Sequence, residues 1–369
     1  MTRNQVCKMT ITLVTFMACR MVSAQTITTF DAPGAGTGAG QGTLAEGITP
    51  AKMTFGYYTD ASGVAHGFQR APSGAFITFS ITGAGTGSGQ GTFAFSLNPA
   101  NAITGYYIDG SGVLHGYVRA ASGAVTTFDA PGAGTSSGQG TLALNINPAG
   151  TIAGYDFDSS GVAHAFLRAR NGTFTTFEAP GAGTGAGQGT GTASGIGLAP
   201  DGTVTGAVID SNSALHGYSR TLDGSFTIID APGAGTGAGQ GTDTDGLNAS
   251  GTIPGVYVDS SNVLHGFVRA TDGTITTFDV PGAGTGAGQG TVPQGVNTQG
   301  AITGSYSDSN SVSHGFLRAP GGAITSFDAP GAGTGAGQGT FPLLDNPSGA
   351  ITGYDIDDSG VFHGFLRTP

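Results

Sequence analysis

Seven histidines constrain this chain more than any other feature. They are His66, His115, His164, His216, His265, His314 and His363, spaced 49 residues apart except for one gap of 52. A fixed period of this size marks propellers or solenoid arrays, whose units stack to bury faces that none buries alone. The long gap places three extra residues around Gly191–Gly195, before the pattern resumes at Leu198. With 70 glycines and 17 prolines in 369 residues, composition alone would fit a low-complexity chain. The strict period argues for an ordered one.

The second copy shows the unit. Thr92–Asn98, Ile103–Asp109, Val113–Arg119 and Val125–Asp129 are short runs rich in β-branched and aromatic residues. Pro99–Asn101, Gly110–Gly112 and Ala121–Gly123 are turn segments between them. That pattern reads as four antiparallel strands, one blade of a propeller. If the turns hold, His115 faces Asp129 and Tyr107, Tyr117 faces Thr127 and Gly105, and Arg119 faces Val125. The chain after residue 24 opens on a lone fourth strand, Thr26–Asp31, and closes on a lone third strand, Phe365–Arg367. Pairing the two removes both open edges. The fold expected is therefore all-β, a seven-bladed propeller of four-stranded blades over residues 25–369.

Residues 1–24 read as a secretory signal. Arg3 and Lys8 precede an apolar run from Met9 to Cys19, and Val22-Ser23-Ala24 offers small residues for cleavage. A lipid anchor on Cys19 is the alternative. Both cysteines, Cys7 and Cys19, lie in this segment, so an exported chain would fold without disulfides. A secreted, periplasmic or cell-surface location follows. No later stretch is apolar enough to span a membrane. The chain has 12 Lys+Arg against 23 Asp+Glu; without Arg3, Lys8 and Arg20 the count is 9 against 23, a net charge of −14. That balance disfavours nucleic acid and anionic membranes. It leaves polysaccharide and extracellular protein partners open, for a chain expected to be monomeric.

Each repeat carries an Asp six residues before its His and an Arg four after. These are Asp60/His66/Arg70, Asp109/His115/Arg119, Asp158/His164/Arg168, Asp210/His216/Arg220, Asp259/His265/Arg269, Asp308/His314/Arg318 and Asp357/His363/Arg367. Fourteen residues beyond the His stand Asp129, Glu178, Asp230, Asp279 and Asp328, with Ser80 in the first copy; in a closed ring Asp31 would serve His363. A histidine oriented by a carboxylate can be a general base. A set recurring in every copy reads instead as a structural polar network of His, acids and Arg that fixes register.

The tract Pro33-Gly-Ala-Gly-Thr-Gly-Ala-Gly-Gln-Gly-Thr43 joins successive copies almost unchanged. A strand follows it and it has no Lys, which argues against a phosphate loop. It reads as a spacer. Acid clusters at Asp156/Asp158, Asp243/Asp245 and Asp355/Asp357/Asp358 leave calcium open without matching a full calcium loop. Glu46 and Glu178 are the only glutamates.

The unit Ile103–Arg119 and the segment His164-Ala-Phe-Leu-Arg168 resemble the bacterial extracellular repeats named for their His-Ala-Phe core; six copies read His-Gly-aromatic instead. The resemblance implies an exported propeller-like protein and supplies no catalytic residues. The expected function is a non-enzymatic binding or scaffold module, with no catalytic or cofactor residues assigned. An extracellular carbohydrate-active enzyme is the alternative. Its site would be marked by repeat-breaking residues: Ser80, Gly191–Gly195, Asp243, Asp245 and Asp345.

Overall fold

The computed structural model describes residues 25–191 and 195–369; the expected leader (1–24, with Cys7 and Cys19) and residues 192–194 of the insertion lie outside the described residues. All regular structure among the described residues is β, twenty-nine strands in one closed, propeller-like sheet system with no helix.

Turn chemistry lays out each repeat. In the second, Gly91–Leu97, Ile103–Ile108, Leu114–Arg119 and Val125–Phe128 pair in sequence order, each antiparallel to the last. The register sets Tyr107 opposite His115, Gly105 opposite Tyr117, Tyr117 opposite Thr127 and Arg119 opposite Val125. Asp109 builds the central turn: its Oδ1 accepts the amides of Ser111 at 2.8 Å and Val113 at 2.9 Å. An Asp side chain mimics a backbone turn in this way.

The first strand of five repeats carries a bulge, with register shifts across Glu46, Phe95, Leu144, Gln294 and Leu343. A bulge re-aims the side chain it releases. All five of these residues face the cavity described below. The fourth repeat departs from the plan. Its first strand is split into Gly189–Thr190 and Gly197–Leu198 around the insertion.

The glycine tracts are tightly bonded. In each, a glycine amide donates to the central turn of the preceding repeat, as Gly89 does to Gly63 O, and the Gln carbonyl accepts an amide there, as Gln90 O does from Ala65. The Gln side chain accepts an amide of its own tract, Gly87 N to Gln90 Oε1 at 2.8 Å. Tracts and Asp turns therefore share one end of the ring. Gly91, at φ +115°, ends such a tract; a Cβ there would lie 2.2 Å from Ala65 O. Only glycine allows that approach.

The same bonds close the ring. Thr26–Phe30 pairs with the last strand, Phe362–Thr368, in register from Thr26↔Thr368 to Phe30↔Gly364. Gly40 N donates to Gly360 O and Phe362 N to Gln41 O, as at every other junction. At the opposite end, asparagine side chains step between neighbouring first strands: Asn98 to Asn147 O, Asn147 to Ala199 O, Asn248 to Asn297 O, Asn297 to Asn346 O and Asn346 to Thr49 O. The last step links the seventh repeat to the first.

The core lies between repeats. Each third strand buries one aromatic completely: Phe68, Tyr117, Phe166, Tyr218, Phe267, Phe316 and Phe365, all 0% exposed. Around Tyr117 pack Ala94, Ile103 and Tyr107, together with Ile81 from the preceding junction. Interdigitation of this kind makes each repeat depend on its neighbours.

Candidate functional site

Two networks occupy opposite ends of each repeat. At the turn end, His115 Nδ1 meets Asp129 Oδ1 at 2.8 Å while its Nε2 faces Asp109 Oδ2 at 3.6 Å. The arrangement recurs for His164 with Glu178 and Asp158, His216 with Asp230 and Asp210, and His265 with Asp279 and Asp259. It recurs again for His314 with Asp328 and Asp308, and for His363 with Asp31 and Asp357. His66 meets Ser80 Oγ at 2.8 Å in place of an acid, and Asp60 at 3.2 Å. The amides of Val162 and Ser160, with His164, hold the Asp158 carboxyl below its usual range.

The arginines do not join these histidines, contrary to the expected His–acid–Arg network. Residues four apart on a strand share a face but stand about 13 Å apart along it. Six guanidinium groups instead lie over the fourth-strand aromatic of the preceding repeat: Arg70 over Phe30 at 4.4 Å, Arg119 over Phe79, Arg168 over Phe128, Arg220 over Phe177, Arg318 over Phe278 and Arg367 over Phe327. Arg269 has Ile229 at that place. These are cation–π staples between repeats.

Three repeats break the histidine pattern, one with Val208 opposite His216 and two with an acid. Tyr58, Tyr107, Tyr257 and Tyr306 stack on their histidines at 4.8–5.1 Å. Asp156 and Asp355 take that position beside His164 and His363. Both carboxyls are buried, and none of their oxygens has a hydrogen-bond partner. Burial pushes each up to about 7. Desolvation would lower His164, but the Glu178 carboxylate beside it raises it.

The third feature lies on the ring axis. A cavity of about 530 Å³ is lined by first-strand residues of every repeat, from Leu44 round to Leu343. Here the repeats stop resembling one another. Tyr57, Tyr106, Tyr155 and Tyr354, from four adjacent repeats, form an aromatic arc. Phe93 and Phe95 stack on Tyr106 at 5.1 and 5.3 Å, and Phe341 on Tyr354 at 5.1 Å. Ala207, Val256 and Ser305 hold the equivalent positions in the other three repeats. Glu46 and Asp245 supply the cavity's carboxyls, and no Lys or Arg lines it among the described residues. Burial pushes Glu46 up to about 8 and raises Asp245 well above the carboxylate range, with Asp243 adding to the latter.

Of the repeat-breaking residues, Gly195 and Asp245 come together: a Cβ on Gly195 would stand 3.7 Å from Asp245 Oδ1. Ser80 sits apart at its histidine. Asp345 is buried, with its Oδ2 accepting from Asn297 Nδ2 at 2.7 Å. Sequence reasoning missed Glu46 and the four tyrosines as cavity residues. The signal was present in the differences between copies at two positions, the bulge and the fourth residue of the second strand. Among the described residues no group of three or more His, Asp or Glu side chains is arranged to hold a metal ion.

No family model and no curated protein matches the sequence. The fold resembles solved β-propellers. A lectin from Burkholderia pseudomallei superposes with a TM-score of 0.57 at 13% identity, over 87% of this chain and 94% of that one. A puromycin hydrolase superposes with a TM-score of 0.51 at 13% identity, over 87% of this chain and 50% of that one. This chain thus spans half the length of that hydrolase. At such identities the likeness is one of fold.

Proposed function

We propose that the protein is an exported, monomeric, seven-bladed β-propeller that binds a saccharide ligand in its axial cavity without transforming it. Four strands per repeat, with Thr26–Phe30 completing the last, support the blade count. The single observation that carries the reading is the axial cavity, where aromatic rings and a few polar groups converge. Binding sites are concave and largely apolar, with a few placed polar groups. Tyrosine faces suit the apolar faces of sugar rings. The lectin with which the chain superposes lends the carbohydrate class. The histidine network, repeated seven times, serves structure in this reading.

A glycan array, run with and without calcium, tests it. Binding that Tyr106→Ala removes supports the cavity. Silence across the array, or binding indifferent to Tyr106→Ala, overturns it. One observation favours a hydrolase instead: Glu46, with its carboxyl near 8, holds a proton at neutral pH, as a glycosidase acid must. Burial raises Asp245 too, which disfavours the ionised partner such chemistry needs. Release of new reducing ends from a bound glycan would favour the hydrolase.

A further inference from the structure

We propose that the axial cavity selects an amine-bearing saccharide, whose ammonium group meets Glu46 while its ring lies on the tyrosine arc. The proposal rests on the reading of this cavity as the ligand site and adds the ligand's charge.

The lining can gain charge of one sign only. It holds two carboxyls and no cation among the described residues. An anionic ligand would meet uncompensated acids in a partly dry space. A neutral sugar can hydrogen-bond those acids through its hydroxyls but brings no charge to set against theirs. A cation supplies that charge. Its charge is compensated by the acids and attracted by the aromatic faces. Tyr57, Tyr106 and Tyr354 are only half-buried, so ring surface stays open to the cavity. Burial raises their hydroxyls, and the Glu46 charge adds to it. Glu46 and these rings line one cavity, where one bound residue can reach both. No ring stands at Ala207, Val256 and Ser305 across from the arc, and Gln294 in the lining offers an amide for the sugar's hydroxyls.

Protonation adds a signature. Glu46 holds its proton near neutrality because burial has raised it. An ammonium placed beside it favours the ionised form. Binding the amine therefore releases a proton, and binding a neutral sugar does not.

The test is calorimetric titration of the purified protein with two glucosamine tetramers, one free of N-acetyl groups and one fully N-acetylated. Each is run at pH 6 in two buffers of different ionisation enthalpy. The amine form is expected to bind at least tenfold tighter, as a charge-assisted contact allows, with net proton release. Glu46→Gln is expected to bring the two forms within about threefold, while its melting curve confirms an intact fold. Equal affinity for the two tetramers, or amine binding without proton release, overturns the amine proposal and leaves the saccharide reading in place. Amine preference that persists undiminished in Glu46→Gln also overturns it. If neither tetramer binds and the glycan array is silent, both readings fall.

Discussion

Asp156→Tyr should stabilise this protein, most strongly at alkaline pH. Four repeats carry a tyrosine at this position. In each its ring stacks on the repeat's histidine, and its outer atoms lie 3.3–3.6 Å from a Cβ position built on the tract glycine, at Gly34, Gly83, Gly233 and Gly282. Above Gly132, the counterpart over Asp156, nothing lies within 4 Å. The third repeat thus holds a short, unpaired carboxyl where those four hold an aromatic ring.

The pH dependence follows from linkage. The Asp156 carboxyl is raised from 3.8 to about 7. Between those values the folded state holds a proton that the unfolded state has released. Stability is therefore complete below about pH 4 and falls as pH rises to about 7, then stays level. Roughly three pH units at 1.36 kcal/mol each set a ceiling of about 4 kcal/mol. Water entering the open space relieves part of this, so Asp156→Asn should gain about 2 kcal/mol at pH 8 and close to nothing at pH 4. Tyrosine adds about 1–2 kcal/mol of burial at either pH. A domain of this size melts roughly 1.5 °C higher per kcal/mol. Asp156→Tyr is thus expected to melt about 5 °C above the parent at pH 8 and about 2 °C above it at pH 4. Differential scanning calorimetry at the two pH values reads this directly. An Asp156→Asn difference that is the same at both would refute the buried-carboxyl account. A tyrosine variant that melts below the parent would refute the account of the empty space.

Four further outcomes follow. Phe316→Ala removes a fully buried ring between repeats and should cost about 3–5 kcal/mol in urea unfolding; a cost under 1 kcal/mol would show that the repeats do not share their core. Gly91→Ala drives a Cβ into Ala65 O, and a drop of roughly 2 kcal/mol or more is expected, since both the clash and the positive φ oppose it; unchanged melting would mean that the junction is loose. Deleting residues 25–31 strips the partner strand from Phe362–Thr368, and the exposed edge should shift the protein to larger species than the parent on size-exclusion chromatography. Arg168→Lys keeps the charge but loses the planar stack on Phe128 and should cost about 0.5–1 kcal/mol by chemical unfolding.

Strand order, register and the closing strand were legible in the sequence because each follows from local chemistry copied seven times. Gly110–Gly112 dictates a turn; the turn dictates which residues oppose one another; repetition removes the ambiguity of any one copy. The asparagine belt was not legible. Asn98 reads as part of a turn, and only the packing of neighbouring first strands turns its amide toward Asn147. The arginines were misassigned for a related reason. Spacing within a strand says which face Arg119 shares, and not which aromatic of another repeat lies beneath it. The cavity residues were hardest to see. Glu46 is an isolated acid in sequence, and the bulge that aims it inward is a property of strand pairing.

The contrast between what repeats and what varies carries the last step. At the turn end and at the outer staples, a change in one copy disturbs a junction that every copy needs, so near-identity is what stability demands. At the axis each repeat contributes to a common space that need not be symmetric. Tyr57, Tyr106, Tyr155 and Tyr354 gather on one side with Glu46 among them, and Ala207, Val256 and Ser305 stand on the other, in the repeats that bring Asp245. A purely structural axis would be filled most simply by one apolar residue used seven times. Instead it keeps two desolvated carboxyls and half-exposed aromatic rings around an open volume, each of which opposes folding unless something fills the space. That unequal arrangement is what a ligand with one charged and one flat side would require.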